Sequence, residues 1–140
     1  MATYTGTGAQ VAVQPKGLRV GLVAVKSVHS FGAVTLSIGD IFPMIKIPAG
    51  ATPIWMNFGS SNGSVHYNIE VGDGIDTDRY RTSVATYSAA LGMQVVTINS
   101  TPYTYSQDDT IDILIATATA SSLSFGGTFY MNVIFSMDAT

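Results

Sequence analysis

Three aspartates within six residues are the part of this sequence best suited to chemistry. Asp73, Asp76 and Asp78 lie in VGDGIDTDRY, residues 71–80, and Arg79 follows them directly. Carboxylates at this density could bind a calcium ion, or two of them could serve as a general acid and a general base. Aspartate and glycine also stabilise tight turns, so the same residues could join two strands.

The spacing of the aspartates does not fit the calcium-binding loop of an EF-hand. An EF-hand that begins at Asp73 needs oxygen ligands at its third and fifth positions and a glutamate at its twelfth. The sequence has Ile75, Thr77 and Val84 at those positions. Paired catalytic carboxylates would need a cleft with two distinct environments, and the surrounding residues indicate none.

We therefore expect residues 71–80 to form a structural turn. The aspartates should bond to backbone amides, the glycines should adopt positive φ, and Arg79 or Arg81 should pair with a nearby carboxylate. The alternative is a looser calcium site that combines the three aspartates with carbonyl oxygens. Its ligands would be Asp73, Asp76 and Asp78.

Other catalytic patterns are missing from the sequence. His29 and His66 lie far apart, and no third residue completes a metal site with them. The chain has no cysteine, no G-x-S-x-G nucleophile elbow and no phosphate-binding loop. The sequence thus predicts no catalytic residues, no cofactor and no enzymatic activity.

Charged residues make up only 11% of the 140 residues, against about 25% in a typical soluble domain. Mean hydropathy is +0.32. A surface so poor in charge is typical of a protein covered by other subunits, although a sparsely charged β protein would look similar. Six basic and nine acidic residues give a net charge of −3, which argues against nucleic acid as a partner. No apolar run is long enough to span a membrane, and residues 1–17 show no basic region followed by an apolar region of the kind found in signal peptides.

Alternation of apolar and polar residues predicts strands and no helices. Three segments show it most clearly: VHYNIEV at 65–71, TIDILIA at 110–116 and GTFYMNVIFSM at 127–137. Further strands are expected at approximately 18–26, 32–38, 41–47, 53–58, 83–89, 94–98 and 102–105, with His29 in a turn. Turn residues recur every 8–12 residues or so. This rhythm predicts an all-β fold, an antiparallel β-sandwich of jelly-roll type formed by a single domain over 17–140.

Two regions are candidate contact surfaces. Residues 1–16 read as an extended N-terminal arm that orders on a neighbouring subunit or simply frays. The apolar ribbon DIFPMIKIPAGATPIWMNF, 40–58, has Pro43 inside a strand pattern, so that strand should lie at a sheet edge or carry a bulge. The predicted contact residues are Thr3, Tyr4, Gln10, Gln14, Trp55, Met56 and Phe58. The alternative for the ribbon is that Trp55 and Phe58 simply belong to the core.

Three segments resemble small structural proteins encoded in the head-gene region of tailed bacteriophages. They are GDIFPMIKIPAGATPIWMNF, then IEVGDGIDTDRY, and finally the closing strand FYMNVIFSM. The resemblance covers about residues 30–140 and its motifs are structural turns. It implies a β-sandwich capsid decoration, or cement, protein or another accessory virion component, and it carries no set of functional residues.

The sequence and the resemblance together predict a protein that binds the assembled phage head and stabilises it. The expected partners are the major capsid protein and copies of the chain itself, in an oligomer such as a trimer. The expected location is the capsid surface, after synthesis in the host cytoplasm. The alternatives are a tail accessory protein and a carbohydrate- or receptor-binding module with Trp55 and the tyrosines as stacking platforms. Tyr103 and Tyr105 beside Asp108 and Asp109 could form such a platform, or simply a β-hairpin with a polar turn.

Overall fold

Eight strands in two sheets make up the described part of the chain. The computed structural model describes residues 21–61, 67–85, 94–96, 102–118 and 124–137. The strands are β1 Gly21–Thr35, β2 Ile41–Ile47, β3 Ala51–Ser60, β4 Tyr67–Asp73, β5 Arg81–Ala85, β6 Gln94–Val96, β7 Asp109–Ala118 and β8 Ser124–Met137. Within those ranges, no helix has the length and apolarity needed to cross a membrane.

Both sheets are four-stranded and antiparallel. One has the order β1-β8-β3-β6 and the other β2-β7-β4-β5. Along the chain, β1 pairs with β8, β2 with β7, β3 with β6 and β4 with β5, as in one long hairpin wrapped into two layers. The predicted all-β antiparallel sandwich is confirmed. Its jelly-roll winding stays a prediction, with which this pairing scheme agrees.

Alternate residues of the strands fill the space between the sheets. In β7 the inward side chains are Ile111, Ile113 and Ile115, all fully buried, while Asp112 and Leu114 face outward. The same alternation in β8 buries Phe129, Met131, Val133 and Phe135. At about 25 cal/mol per Å² of apolar surface removed from water, this core is the main force that holds the layers together.

The break predicted at His29 does not exist. β1 runs unbroken from Gly21 to Thr35, and a register shift between Phe31 and Val34 takes up the irregularity. His29 faces the core, where its ring packs edge-on against Phe42 at 5.1 Å. Burial also lowers the pKa of His29. The polar residues around His29 suggested a turn, but pairing with β8 over the whole length keeps the strand extended.

The strand predicted at 102–105 is also wrong. These residues form an extended connection that has two backbone hydrogen bonds to the start of β3. Gly50 N donates to Tyr105 O at 2.7 Å, and Tyr105 N donates to Ala51 O at 3.0 Å. Two bonds are too few to make a ladder, and Pro102 has no N–H to extend one.

The prediction for Pro43 is confirmed in both its forms. β2 lies at the edge of its sheet, and its register against β7 shifts between Pro43 and Ile45. A proline cannot donate to a ladder, so the chain places it where a missing N–H costs nothing. A similar shift separates Pro53 and Trp55 in β3.

The apolar ribbon is mostly core. Met56 and Phe58 are completely buried, so their predicted role as partner contacts is wrong, because neither side chain reaches the surface. Trp55 is half-buried on the opposite side of β3. The other predicted contacts, Thr3, Tyr4, Gln10 and Gln14, lie outside the described residues, as does His66.

Candidate functional site

The aspartate-rich stretch is a turn folded back onto its own strand. β4 ends at Asp73, and the turn leads to β5 at Arg81. The backbone at Asp76 and Thr77 lies so close over Gly72 that a Cβ there would overlap both carbonyl groups. Glycine is therefore required at 72 by close approach. The predicted positive φ is wrong for Gly72 and Gly74. Among the described glycines, those with positive φ are Gly21, Gly39 and Gly50.

The carboxylate of Asp73 organises this turn from inside. Its side chain is fully buried, and Oδ1 accepts hydrogen bonds from the amides of Ile75 at 3.0 Å and Asp76 at 2.8 Å. The backbone of Asp73 donates in turn to the carbonyl of Asp76 at 2.9 Å. These bonds are the side-chain-to-backbone contacts expected from the sequence.

Arg79 supplies the charge that compensates the buried carboxylate. Its Nε lies 2.5 Å from Asp73 Oδ2, and a second nitrogen lies 3.9 Å from Asp76. The guanidinium also stacks over the ring of Tyr103, with 3.6 Å between the guanidinium carbon and the ring centroid. Of the two predicted arginine partners Arg79 is the one used, while Arg81 is exposed.

Two buried tyrosines complete the network. Tyr105 Oη donates to Asp73 Oδ2 at 3.0 Å, and Tyr80 Oη lies 2.7 Å from Tyr105 Oη. An ionised carboxylate can only accept, so the single hydroxyl proton of Tyr105 is committed to Asp73. Tyr80 must therefore be the donor to Tyr105, which gives the chain of bonds one direction.

The pKa values follow from this arrangement. Burial alone would raise the pKa of the Asp73 carboxyl, but the bonds from Arg79, from the amides of Asp76 and Ile75 and from Tyr105 together lower it. Burial is the main cause that raises the pKa of both tyrosines, and Tyr105 is raised further by its contacts with Tyr80 and Asp73. The network is thus one buried ion pair with neutral tyrosines behind it.

The three aspartates of the calcium alternative do not converge. Asp73 and Asp76 share Arg79, whereas Asp78 is exposed and accepts a hydrogen bond from Thr82 at 3.2 Å. Among the residues that the structure describes, no group of three His, Cys, Asp or Glu side chains could hold a metal ion.

The proposed sugar-stacking platform is not formed either. Tyr105 is buried, and Tyr103 has Arg79 over one face and Tyr105 at its edge, 5.0 Å between ring centroids. Asp108 accepts a hydrogen bond from the amide of Ala49 at 2.9 Å, which ties the turn before β3 to the start of β7. Tyr105 is therefore closed to a sugar ring, and Arg79 already covers one face of Tyr103.

Sequence reasoning missed Asp112. It lies on the outer side of β7 beside a cavity of about 60 Å³ whose lining residues are Ile41, Asp73, Gly74, Thr77, Asp112 and Leu114. Burial is the main cause that raises the pKa of Asp112 to about 6, and the nearby carboxylates of Asp109 and Asp73 add to it. Its Oδ1 is buried with no hydrogen-bond partner in the described structure. In the sequence, the position of Asp112 between Ile111 and Ile113 could have indicated a carboxylate in apolar surroundings.

The fold is an antiparallel β-sandwich in which the hydrogen-bonded cluster of Asp73, Arg79, Tyr80 and Tyr105 stabilises the turn between β4 and β5. No protein-family model and no curated protein sequence matches the chain. Solved structures do share its fold. The capsid of Ralstonia phage GP4 contains a chain with TM-score 0.75 and 15% identity, covering 99% of this chain and 100% of that one.

Two further structures agree. The capsid asymmetric unit of cyanophage Pam1 gives TM-score 0.69 and 18% identity over 93% of this chain and 94% of that one. The acidic stable capsid structure of Helicobacter pylori bacteriophage KHP30 gives 0.61 and 8% over 87% and 92%. At these identities the likeness establishes the fold.

Proposed function

We propose that this chain is a structural component of a bacteriophage virion, and specifically a capsid decoration protein that binds the assembled head and stabilises it. One observation carries the proposal. The fold is shared over nearly the whole chain with three chains from phage capsids, and each of those is matched over at least 92% of its own length. A small sandwich that matches each of these capsid chains over nearly its full length supports the proposal of an accessory component.

The polar network supports a role as a rigid scaffold. Asp73, Arg79, Tyr80 and Tyr105 use their polar groups on one another and on the turn. A buried cluster that is satisfied in this way fixes the loop and offers no reactive group to a substrate. The proposal therefore assigns the chain a binding role without catalysis.

The stabilising mechanism is mass action. A protein that binds the assembled shell but not its separated subunits shifts the equilibrium towards the shell. At a free concentration 100 times the dissociation constant, each occupied site would add about 2.7 kcal/mol. Oligomers that bind several sites at once would bind more tightly than single copies.

The test uses phage heads that lack this chain. Purified protein should sediment with intact heads in a saturable manner, should remain in solution with dissociated major capsid protein, and should raise the temperature at which the heads release DNA. Failure to bind heads would refute the proposal. Binding to tails in place of heads would support the tail accessory alternative, and saturable binding on a glycan array would support the carbohydrate module.

A second experiment addresses the N-terminal arm. Removal of residues 1–16 should leave a folded protein with lower head occupancy than the full chain under the same conditions. Equal occupancy would remove the arm, and with it Thr3, Tyr4, Gln10 and Gln14, from the contact surface.

A further inference from the structure

Among the described residues, the acidic side chains are confined to one of the two sheets and the loops next to it. Eight of the nine acidic residues fall in the described part of the chain, since only Asp138 lies outside it. None of the eight belongs to β1, β3, β6 or β8, and the one charged residue of those four strands is Lys26. The acidic residues all lie in or next to the other sheet: Asp40, Glu70, Asp73, Asp76, Asp78, Asp108, Asp109 and Asp112.

The outer side of β1, β8 and β3, which we call the neutral face, consequently has Lys26 as its one charged residue, and it combines apolar side chains with the hydroxyl groups of Ser30, Thr128 and Ser136. The strand registers place Ala24, Ile134 and Trp55 in one row across it. Two rows further on lie Val28 and Tyr130. Leu22, at one end of β1, is 65% exposed. A shallow depression of about 200 Å³ runs through the centre, between β1, β8 and Trp55.

The middle row of the neutral face is polar. Lys26 lies beside Asn132, and Asn132 lies beside Asn57. Asn132 Nδ2 donates to Asn57 Oδ1 at 2.7 Å, which leaves an amide oxygen and an amide nitrogen for a partner. An occupant must therefore offer apolar groups on either side of this row and an acceptor for the lysine near the middle.

A second copy of the same face does not meet that requirement. If two neutral faces packed on each other about a two-fold axis, both Lys26 side chains would be buried near the middle of the interface. No strand of this sheet has a carboxylate to pair with them. A buried charge without a partner weakens binding strongly, so the occupant must have a different surface.

The size of the neutral face points to a repeated contact. Leu22 to Ser30 spans roughly 30 Å at about 3.4 Å per residue, and three strands spaced by about 4.8 Å are roughly 14 Å wide. Their product, about 400 Å², is half of the roughly 800 Å² per partner in a stable two-protein interface. A face of this size binds firmly only when several linked copies engage at once, as on a symmetric shell.

We infer that the neutral face is the surface that binds the viral shell, and that its partner is an apolar patch with a carboxylate opposite Lys26. This inference rests on the proposed function and gives it an orientation. The other sheet, formed by β2, β7, β4 and β5, carries the acidic residues and the Asp73 turn, and it then faces away from the shell.

The test compares two lysine substitutions at equally exposed positions. Leu22 on the neutral face is 65% exposed, and Ile75 in the turn is 67% exposed. Leu22→Lys should weaken binding to heads at least tenfold, because it places a cation without a partner carboxylate in the contact. Ile75→Lys should bind within twofold of the unmodified chain. Circular dichroism checks that both variants fold.

Lys26→Glu provides an independent readout. It should weaken head binding at least tenfold and reverse the salt dependence, since a lysine–carboxylate pair is weakened by salt and a glutamate–carboxylate repulsion is relieved by it. Strong binding by Leu22→Lys together with lost binding by Ile75→Lys would overturn the inference and leave the proposed function intact. So would a Leu22→Lys variant that breaks up a solution oligomer, measured by light scattering, yet binds heads as before. If the unmodified chain binds no heads, the proposed function itself fails.

Discussion

Replacement of Asp73 by asparagine tests the idea that one buried ion pair locks the turn. Asparagine has the same shape, and its oxygen can still accept hydrogen bonds from the amides of Ile75 and Asp76. Its amide nitrogen cannot accept the bonds that Arg79 Nε and Tyr105 Oη donate to Oδ2. The variant therefore leaves a half-buried guanidinium without its carboxylate and a buried hydroxyl without its acceptor.

The magnitude follows from those losses. Removal of one member of a buried pair costs roughly 3–5 kcal/mol. The Arg79 side chain is 18% exposed, so water offsets part of the loss and a value near the lower end is expected. We predict that Asp73→Asn lowers the free energy of unfolding by about 3 kcal/mol, a large share of the 5–15 kcal/mol typical of a domain.

Urea unfolding at pH 7, followed by circular dichroism, measures this change. Asp78→Asn is the matched control, because Asp78 belongs to the same turn but is exposed, and its replacement should change stability by less than about 0.5 kcal/mol. A loss below about 1 kcal/mol for Asp73→Asn, or equal losses for the two variants, would refute the argument that the buried pair holds the turn. An unchanged dependence on urea concentration would show that both variants still unfold as the same cooperative unit.

Three further predictions concern the same region. Gly72→Ala should displace the turn and destabilise the fold by more than about 2 kcal/mol, whereas Gly32→Ala, where a Cβ meets nothing within 4 Å, should change stability by less than about 1 kcal/mol in thermal unfolding. Tyr105→Phe removes a donor to Asp73 and an acceptor for Tyr80, so urea unfolding should show a loss of about 1–3 kcal/mol; a neutral result would contradict the directed chain of bonds. The fold raises the pKa of Asp112 to about 6, so the folded state disfavours the ionised carboxylate. The protonated carboxyl therefore contributes to stability fully below about pH 4, and this contribution is lost as the pH rises through 6. Asp112→Asn should therefore match the unmodified chain at pH 4 and exceed it by about 2 kcal/mol at pH 7; a difference that does not change with pH would exclude Asp112 as the titrating group.

The strands that could be predicted are those whose alternation of apolar and polar residues is clear without knowledge of the neighbouring strands. β7 and β8 alternate so regularly that one face must be apolar, and Ile111 and Met131 duly lie in the core. Pro43 was equally informative, because a residue without an N–H is excluded from a central strand wherever the chain goes. The misplaced turn at His29 and the misplaced strand at 102–105 were decided by pairing partners distant in sequence.

Some contacts of the Asp73 turn could be predicted from the sequence, and others depend on the tertiary structure. The sequence by itself determined that Asp73 and its neighbouring glycines make a turn and that an arginine close by neutralises it, because those contacts lie within six residues. Only the tertiary structure decided that Tyr105, 32 residues away, donates a hydrogen bond to the same carboxylate. The segregation of charge between the sheets has the same origin: each strand's own pattern sets which residues face outward, but the order in which strands pair sets which outward residues share a face.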